Sequence, residues 1–103
     1  MTYDELLAIL ARTGIPWAYH HWDKPPVLPW GVYLSDGDDS FFADDRTYFL
    51  SSGIRLEVYS LTRDPALDQA VQGVLDQADI PYEMDYAYIE SEGLYETIFE
   101  IEV

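Results

Sequence analysis

The sequence contains no cysteine, and its last forty residues contain neither lysine nor arginine. Without cysteine, the chain forms no disulfides and offers no thiolate ligands to a metal. Eleven Asp and Glu residues lie between Asp64 and Val103, whereas the first 63 residues hold the other nine acids and all five bases. Affinity for nucleic acid comes largely from basic groups that displace counterions, so this composition argues against direct DNA or RNA binding. Three roles remain for the charge: binding a basic partner, mimicking a polyanion, or forming an acidic wall that repels its surroundings.

Long hydrophobic runs are also missing, since none approaches the ~20 residues that a membrane span requires. The sequence starts Met-Thr-Tyr-Asp-Glu, without the basic and apolar regions of a signal peptide. We therefore expect a location in the cytoplasm, or in an assembly built there. The 103 residues are 49% hydrophobic and 16% aromatic. These values predict one compact domain over residues 1–103 rather than a disordered acidic tail.

Two helices are predicted. The first spans about Thr2–Thr13, where Thr2 and Glu5 have the spacing of a capping box. The second begins after Asp64, a good N-cap residue that is followed by proline at the first helical position. Apolar residues then recur with helical spacing as far as Ala78.

Five segments with the alternation or composition of strands are present. They run from about Ile15 to Trp22, Val27 to Leu34, Thr47 to Tyr59, Tyr82 to Ile89 and Leu94 to Val103. The last two are joined by a predicted hairpin turn. The third is about twice the usual strand length, so we expect it to project beyond the domain body. The order α-β-β-β-α-β-β predicts an α+β domain with two helices packed on a mainly antiparallel sheet.

Metal-binding patterns are weak. His20 and His21 are the only histidines, and adjacent residues on a strand point to opposite faces, so we expect them not to share a metal ion. The loop Asp36–Asp45 holds five aspartates, but Gly37 directly follows Asp36 and no glutamate stands at the twelfth position of a calcium loop. A solvated loop is the favoured interpretation, and a weak cation site is the alternative. The sequence thus predicts no metal and no cofactor.

Catalytic motifs are equally absent from the sequence. It has no G-x-S-x-G elbow, phosphate loop, H-E-x-x-H motif or cysteine nucleophile. With twenty acidic residues, carboxylate pairs suited to acid–base catalysis occur by chance and carry no information. We therefore predict that the protein is not an enzyme.

The C-terminal hairpin separates apolar and acidic residues onto two faces. Pairing its strands with the apolar face inward places like charges opposite each other outside, which is destabilising. This surface is either a solubilising one or an acidic wall that a neighbour or a channel uses. The acidic residues of the two strands are Glu83, Asp85, Glu96, Glu100 and Glu102.

Three groups of segments, in order along the chain, carry a family resemblance. They are Val32–Leu34 with Asp36–Asp45 and Tyr48, Arg55–Tyr59 with Asp64 and Pro65, and Tyr88–Glu92 with Leu94 and Tyr95. This ordered set, over roughly residues 15–103, is similar to small phage and prophage proteins encoded among the structural genes of long-tailed phages of Gram-positive bacteria. Members are described as tail components, head–tail joining proteins or tail-completion (terminator) proteins.

The resemblance implies an α+β subunit that forms a ring, commonly of six, at the head-proximal end of the tail tube. Its partners would be other copies of itself, the tail-tube protein and the head connector, with DNA passing only through the lumen. The implied location is the virion, assembled in the cytoplasm of a bacterial host. The family has no catalytic residues to transfer. Residues Tyr48–Ser52 are apolar and small, where the family is usually basic and polar, so we expect a different partner surface there.

The loop after the second strand is the predicted subunit interface. Leaving Phe41 and Phe42 in water would cost about 1.5–3 kcal/mol each, so at least one is expected to be buried against its own sheet or a neighbour. The main rival function is an acidic DNA mimic that inhibits a host restriction or defence enzyme, and an enzyme comes third. The predicted interface residues are Asp36, Asp38, Asp39, Phe41, Phe42, Tyr48 and Phe49.

Overall fold

The computed structural model describes residues 1–35 and 53–102, which form two helices and one five-stranded sheet. The order α-β-β-β-α-β-β and the α+β class are as predicted. In chain order the elements are α1 (Tyr3–Ala11), β1 (Trp17–Tyr19), β2 (Trp30–Ser35), β3 (Gly53–Ser60), α2 (Pro65–Gln77), β4 (Tyr82–Ile89) and β5 (Leu94–Glu102). Neither helix is long and apolar enough to span a membrane.

Both helices begin at the caps that the sequence predicts. Thr2 Oγ1 accepts a hydrogen bond of 3.1 Å from the Glu5 amide, and Glu5 Oε1 accepts one of 2.8 Å from the Thr2 amide. These reciprocal bonds satisfy two amides that the first turn leaves unpaired. At α2, Asp64 Oδ1 accepts from the Leu67 amide at 3.2 Å. Helix α1 ends at Ala11, two residues before the predicted boundary.

The strands lie in the order β1-β2-β3-β5-β4. Strands β1 and β2 run parallel, and every other pair is antiparallel, which confirms the mainly antiparallel sheet. The hairpin β4–β5 pairs along its whole length, from Tyr82 opposite Ile101 to Ile89 opposite Leu94. Gly93 closes the turn with a φ of 64°, which glycine adopts without steric cost.

Three strands differ from their predicted extents. Strand β1 covers only Trp17–Tyr19 because His20 adopts a φ of 68°, which turns the chain out of the sheet. Strand β2 begins at Trp30, directly after Pro29, because proline offers no amide to the ladder. Strand β3 is described from Gly53, and the predicted extension over residues 47–52 lies outside the described residues, so the projecting arm stays a prediction.

The hydrophobic core lies between the two helices and one face of the sheet. On β3, the alternate residues Ile54, Leu56 and Val58 are buried, as the sequence pattern predicts. Both helices pack against these strand residues with apolar side chains that are spaced four residues apart. This spacing places the side chains on one face of each helix. The other buried members of this core are Leu6, Leu10, Tyr33, Leu67, Val71, Leu75, Ile80, Phe99 and Ile101.

Two side-chain contacts fix other parts of this face. The Trp17 indole lies over Gly31, so close that a Cβ there would lie 2.5 Å from the ring. Its Nε1 donates to Thr13 Oγ1 at 2.8 Å. Two strands away from β2, buried Asp68 of α2 accepts a hydrogen bond of 2.9 Å from Thr97 of β5 and pairs with Arg63. This polar cluster attaches α2 to the sheet.

Candidate functional site

The face of the sheet that points away from the helices carries most of the acidic side chains of the sheet. We call it the acidic face. Alternation along β3, β4 and β5 places these carboxylates together, because residues two apart on a strand share a face. Arg55 is the one base among the described sheet residues of this face. The carboxylates of the acidic face are Glu57, Glu83, Asp85, Glu96, Glu100 and Glu102.

Like charges oppose each other across this face, as the hairpin pattern predicts. Glu83 of β4 lies directly opposite Glu100 of β5, which in turn lies opposite Arg55 of β3. Arg55 Nε is 2.8 Å from Glu57 Oε2, but the contact is an ion pair without the alignment of a hydrogen bond. The single guanidinium therefore offsets only part of the negative charge.

Tyr59 joins two of these carboxylates. Its hydroxyl lies 2.9 Å from Glu57 Oε1 and 2.9 Å from Glu96 Oε2. A phenol has one proton to donate, so both contacts become hydrogen bonds only when one carboxyl group is protonated. Burial raises the pKa of Glu96 and, together with the hydrogen bonds to both carboxylates, raises that of Tyr59. With both carboxyl groups ionised, only one of the two contacts is therefore a hydrogen bond.

The prediction that His20 and His21 point to opposite faces of a strand is wrong. Because His20 leaves β1 in a left-handed conformation, strand alternation no longer applies, and its Nδ1 lies 3.2 Å from Nδ1 of His21. His21 Nε2 is 3.2 Å from Asp23 Oδ1. The imidazoles thus contact each other instead of converging on a third ligand. Within residues 1–35 and 53–102, no group of three or more His, Asp or Glu side chains is arranged to hold a metal ion.

The predicted interface lies outside the described residues. Asp36, Asp38, Asp39, Phe41, Phe42, Tyr48 and Phe49 all fall between the two described ranges. The aspartate loop Asp36–Asp45, with its weak cation-site alternative, falls there as well. The interface therefore stays a prediction.

The structure also brings together residues that the sequence did not single out. Val32 is buried although it lies on the sheet face without helices, and it lines a cavity there together with His20, His21, Trp22 and Pro25. Trp30 pairs with Tyr59 across β2 and β3. The signal for this cluster in the sequence was its many aromatic residues. Their contacts depend on the register in which the strands pair, and the sequences of the separate strands do not reveal that register.

Comparisons of this chain with known protein families, curated proteins and solved structures found no match.

Proposed function

We propose that this protein is a structural subunit of a phage or prophage virion, a tail-completion or head–tail joining protein that forms a ring at the head-proximal end of the tail tube. The observation that carries the proposal is the acidic face, with six carboxylates and one guanidinium on a continuous sheet surface. Such a surface repels the phosphates of DNA. Lining a lumen, it would let DNA pass without adhering.

The arrangement of layers supports the same role. Both helices pack on one side of the sheet, so no helix of residues 1–35 and 53–102 covers the acidic face. Among the described strands, β4 lies at the edge of the sheet and pairs with β5 alone. An edge strand offers backbone hydrogen-bonding groups to a neighbour. A sheet face without described helices and a strand at the edge of the described sheet supply the two surfaces that a ring subunit needs, one for the lumen and one for the next copy.

The test combines the protein with a tail-tube protein and a head-connector protein of a long-tailed phage. Many ring subunits of this kind stay monomeric until they dock, so we expect rings, commonly six-fold, in negative-stain images of the mixture rather than of the isolated protein. A gene neighbourhood of portal, capsid and tail-tube genes is expected as well. A monomer without affinity for tube or connector would contradict the proposal.

The acidic face also favours a second candidate, an inhibitor that mimics DNA. Rows of carboxylates such as Glu83 and Glu100 resemble the regular negative charge of a nucleic-acid backbone. An inhibitor would bind a basic nuclease as a monomer or dimer and compete with DNA for it. Light scattering of the protein with a restriction nuclease, and cleavage of DNA by that mixture, distinguish this role from ring formation.

A further inference from the structure

A cavity of about 300 Å³ lies between residues 20–30 and the acidic face. The rings of Trp22, Trp30 and Tyr59 line it, together with the imidazoles of His20 and His21 and the carboxylates of Glu57 and Glu92. We call this cavity the aromatic pocket. It lies at the lower end of the volumes typical of ligand pockets, which suits a single side chain better than a large ligand.

The aromatic rings of the pocket are held in place by their neighbours. Trp22 Nε1 donates a hydrogen bond of 3.1 Å to the Gly31 carbonyl. The Trp22 and Trp30 rings are 6.4 Å apart at 64°, and those of Trp30 and Tyr59 are 4.8 Å apart. Tyr59 is fixed in turn by its contacts with Glu57 and Glu96. Because the rings are already ordered, a ligand loses little free energy in arranging them.

The charges of the aromatic pocket favour a cation. Glu57 forms part of the wall with its side chain only 16% exposed, and Glu92 lies exposed at the rim. Among the described residues, no lysine or arginine lines the cavity, whose basic side chains are His20 and His21, and Arg55 contacts Glu57 from outside it. A cation over the face of Trp or Tyr gains about 0.5–1 kcal/mol at exposed sites and about 2 kcal/mol when desolvated.

A cation, an aromatic ring and a carboxylate already lie together at another place in the protein. The Arg63 guanidinium lies 3.8 Å from the centre of the Tyr86 ring and pairs with Asp68. A planar guanidinium stacks on aromatic rings and binds carboxylates with two parallel donors, which the compact ammonium of lysine does not do. A net charge of −15 attracts basic partners over long range. We propose that the aromatic pocket receives an arginine side chain from a basic partner protein, whether or not the protein forms a ring.

Spectra of the indole N–H groups test this proposal directly. The probe is the peptide acetyl-Gly-Arg-Gly-amide, and the same peptide with neutral citrulline or with lysine in place of arginine is the comparison. Addition of the arginine peptide should shift the ¹H–¹⁵N signals of Trp22 and Trp30. The signal of Trp17, whose N–H donates to Thr13 on the other face, should stay in place. Equal shifts with citrulline would overturn the proposal, and equal affinity for lysine would overturn the assignment to arginine.

Matched variants locate the binding site. We expect Trp22→Leu to weaken binding of the arginine peptide about tenfold through loss of the cation–π contact. Glu92→Gln removes a rim charge and should weaken it roughly two- to fivefold. Glu90→Gln alters the same turn without lining the pocket, and should leave affinity unchanged. If Glu92→Gln and Glu90→Gln have the same effect, or Trp22→Leu folds and binds normally, the pocket is not the site.

Discussion

At the scale of single residues, the contact between Gly31 and Trp17 sets a steric limit. An added methyl group at Gly31 would meet the indole, which its hydrogen bond to Thr13 holds in position. Overpacking of this kind costs about 1–3 kcal/mol. We expect Gly31→Ala to lower the free energy of unfolding by that amount in urea denaturation.

Gly73 is the matched control for this substitution. It lies inside α2, and an added Cβ there meets no atom within 4 Å. Because glycine disfavours a helix interior, Gly73→Ala should stabilise the protein by roughly 0.5–1 kcal/mol. Equal effects of the two substitutions would show that the Trp17 contact imposes no limit.

Burial of Glu96 opposes the ionised form of its side chain. Burial raises its pKa, with Tyr59, Glu57 and Arg55 as its charged or titrating neighbours. The folded state therefore binds more protons than the unfolded state between the ordinary glutamate pKa of about 4.3 and the raised value. This contribution to stability is fully present below the ordinary pKa and is lost as pH rises through the raised one. Because glutamine does not ionise, we expect Glu96→Gln to remove this loss of stability with rising pH and to raise the melting temperature at pH 7.

Glu5 shows the opposite sign and serves as the comparison. The hydrogen bond from the Thr2 amide lowers the pKa of Glu5, so its contribution is present above the ordinary pKa and is lost as pH falls through the lowered value. Melting temperatures measured from pH 3 to pH 8 separate the two variants. If Glu5→Gln and Glu96→Gln change the pH profile in the same direction, the explanation for Glu96 is wrong.

At the scale of elements, one buried carboxylate adds a polar contact between α2 and the sheet to the apolar packing of that helix. Asp68 is buried and contacts both Arg63 and Thr97, and the hydrogen bond from Arg63 raises the pKa of that guanidinium. Asparagine keeps one acceptor oxygen but has an NH2 group in place of the other, so one of the two donors loses its acceptor, which costs about 1–3 kcal/mol. We expect Asp68→Asn to destabilise the protein by this amount in urea denaturation. Asp76→Asn changes an exposed position of the same helix and should have almost no effect.

The hairpin β4–β5 contains a repulsive pair that a single substitution can reverse. Glu83 and Glu100 are direct cross-strand neighbours, and such pairs change stability by roughly 0.2–1 kcal/mol. Glu83→Lys should therefore raise the free energy of unfolding. Glu90→Lys makes the same change of charge in the turn and serves as control. If both raise stability equally, relief of the overall charge accounts for the gain and the cross-strand pair does not.

At the scale of the whole molecule, the distribution of charge predicts behaviour toward DNA. All five bases precede Asp64, and the acidic face lies on the open side of the sheet. We expect no complex with duplex DNA in a mobility-shift assay at about 50 mM salt, where counterion release favours binding most. A micromolar complex would contradict both the repulsive role of the acidic face and the proposed function.

More of the fold than of the candidate site could be predicted from the sequence. Helix α2 and the hairpin β4–β5 follow from local signals, namely the Asp64 cap, helical periodicity and Gly93 in the turn. The conformation of His20 and the short β1 depend on tertiary packing. The contact of Tyr59 with Glu96 and the aromatic pocket depend on strand order, because Glu96 meets Tyr59 only if β5 lies beside β3. Alternation identifies the face of a strand but not its neighbours.

The position of β5 has a consequence for the synthesis of the chain. It is the last of the described elements to leave the ribosome, yet it lies between β3 and β4 in the sheet. In a nascent chain that ends at Gly93, β3 and β4 are present but β5, which pairs with both, is missing. The acidic face is therefore not yet formed. A truncation before Leu94 would remove the middle of the sheet, whereas loss of β1 would remove only an edge.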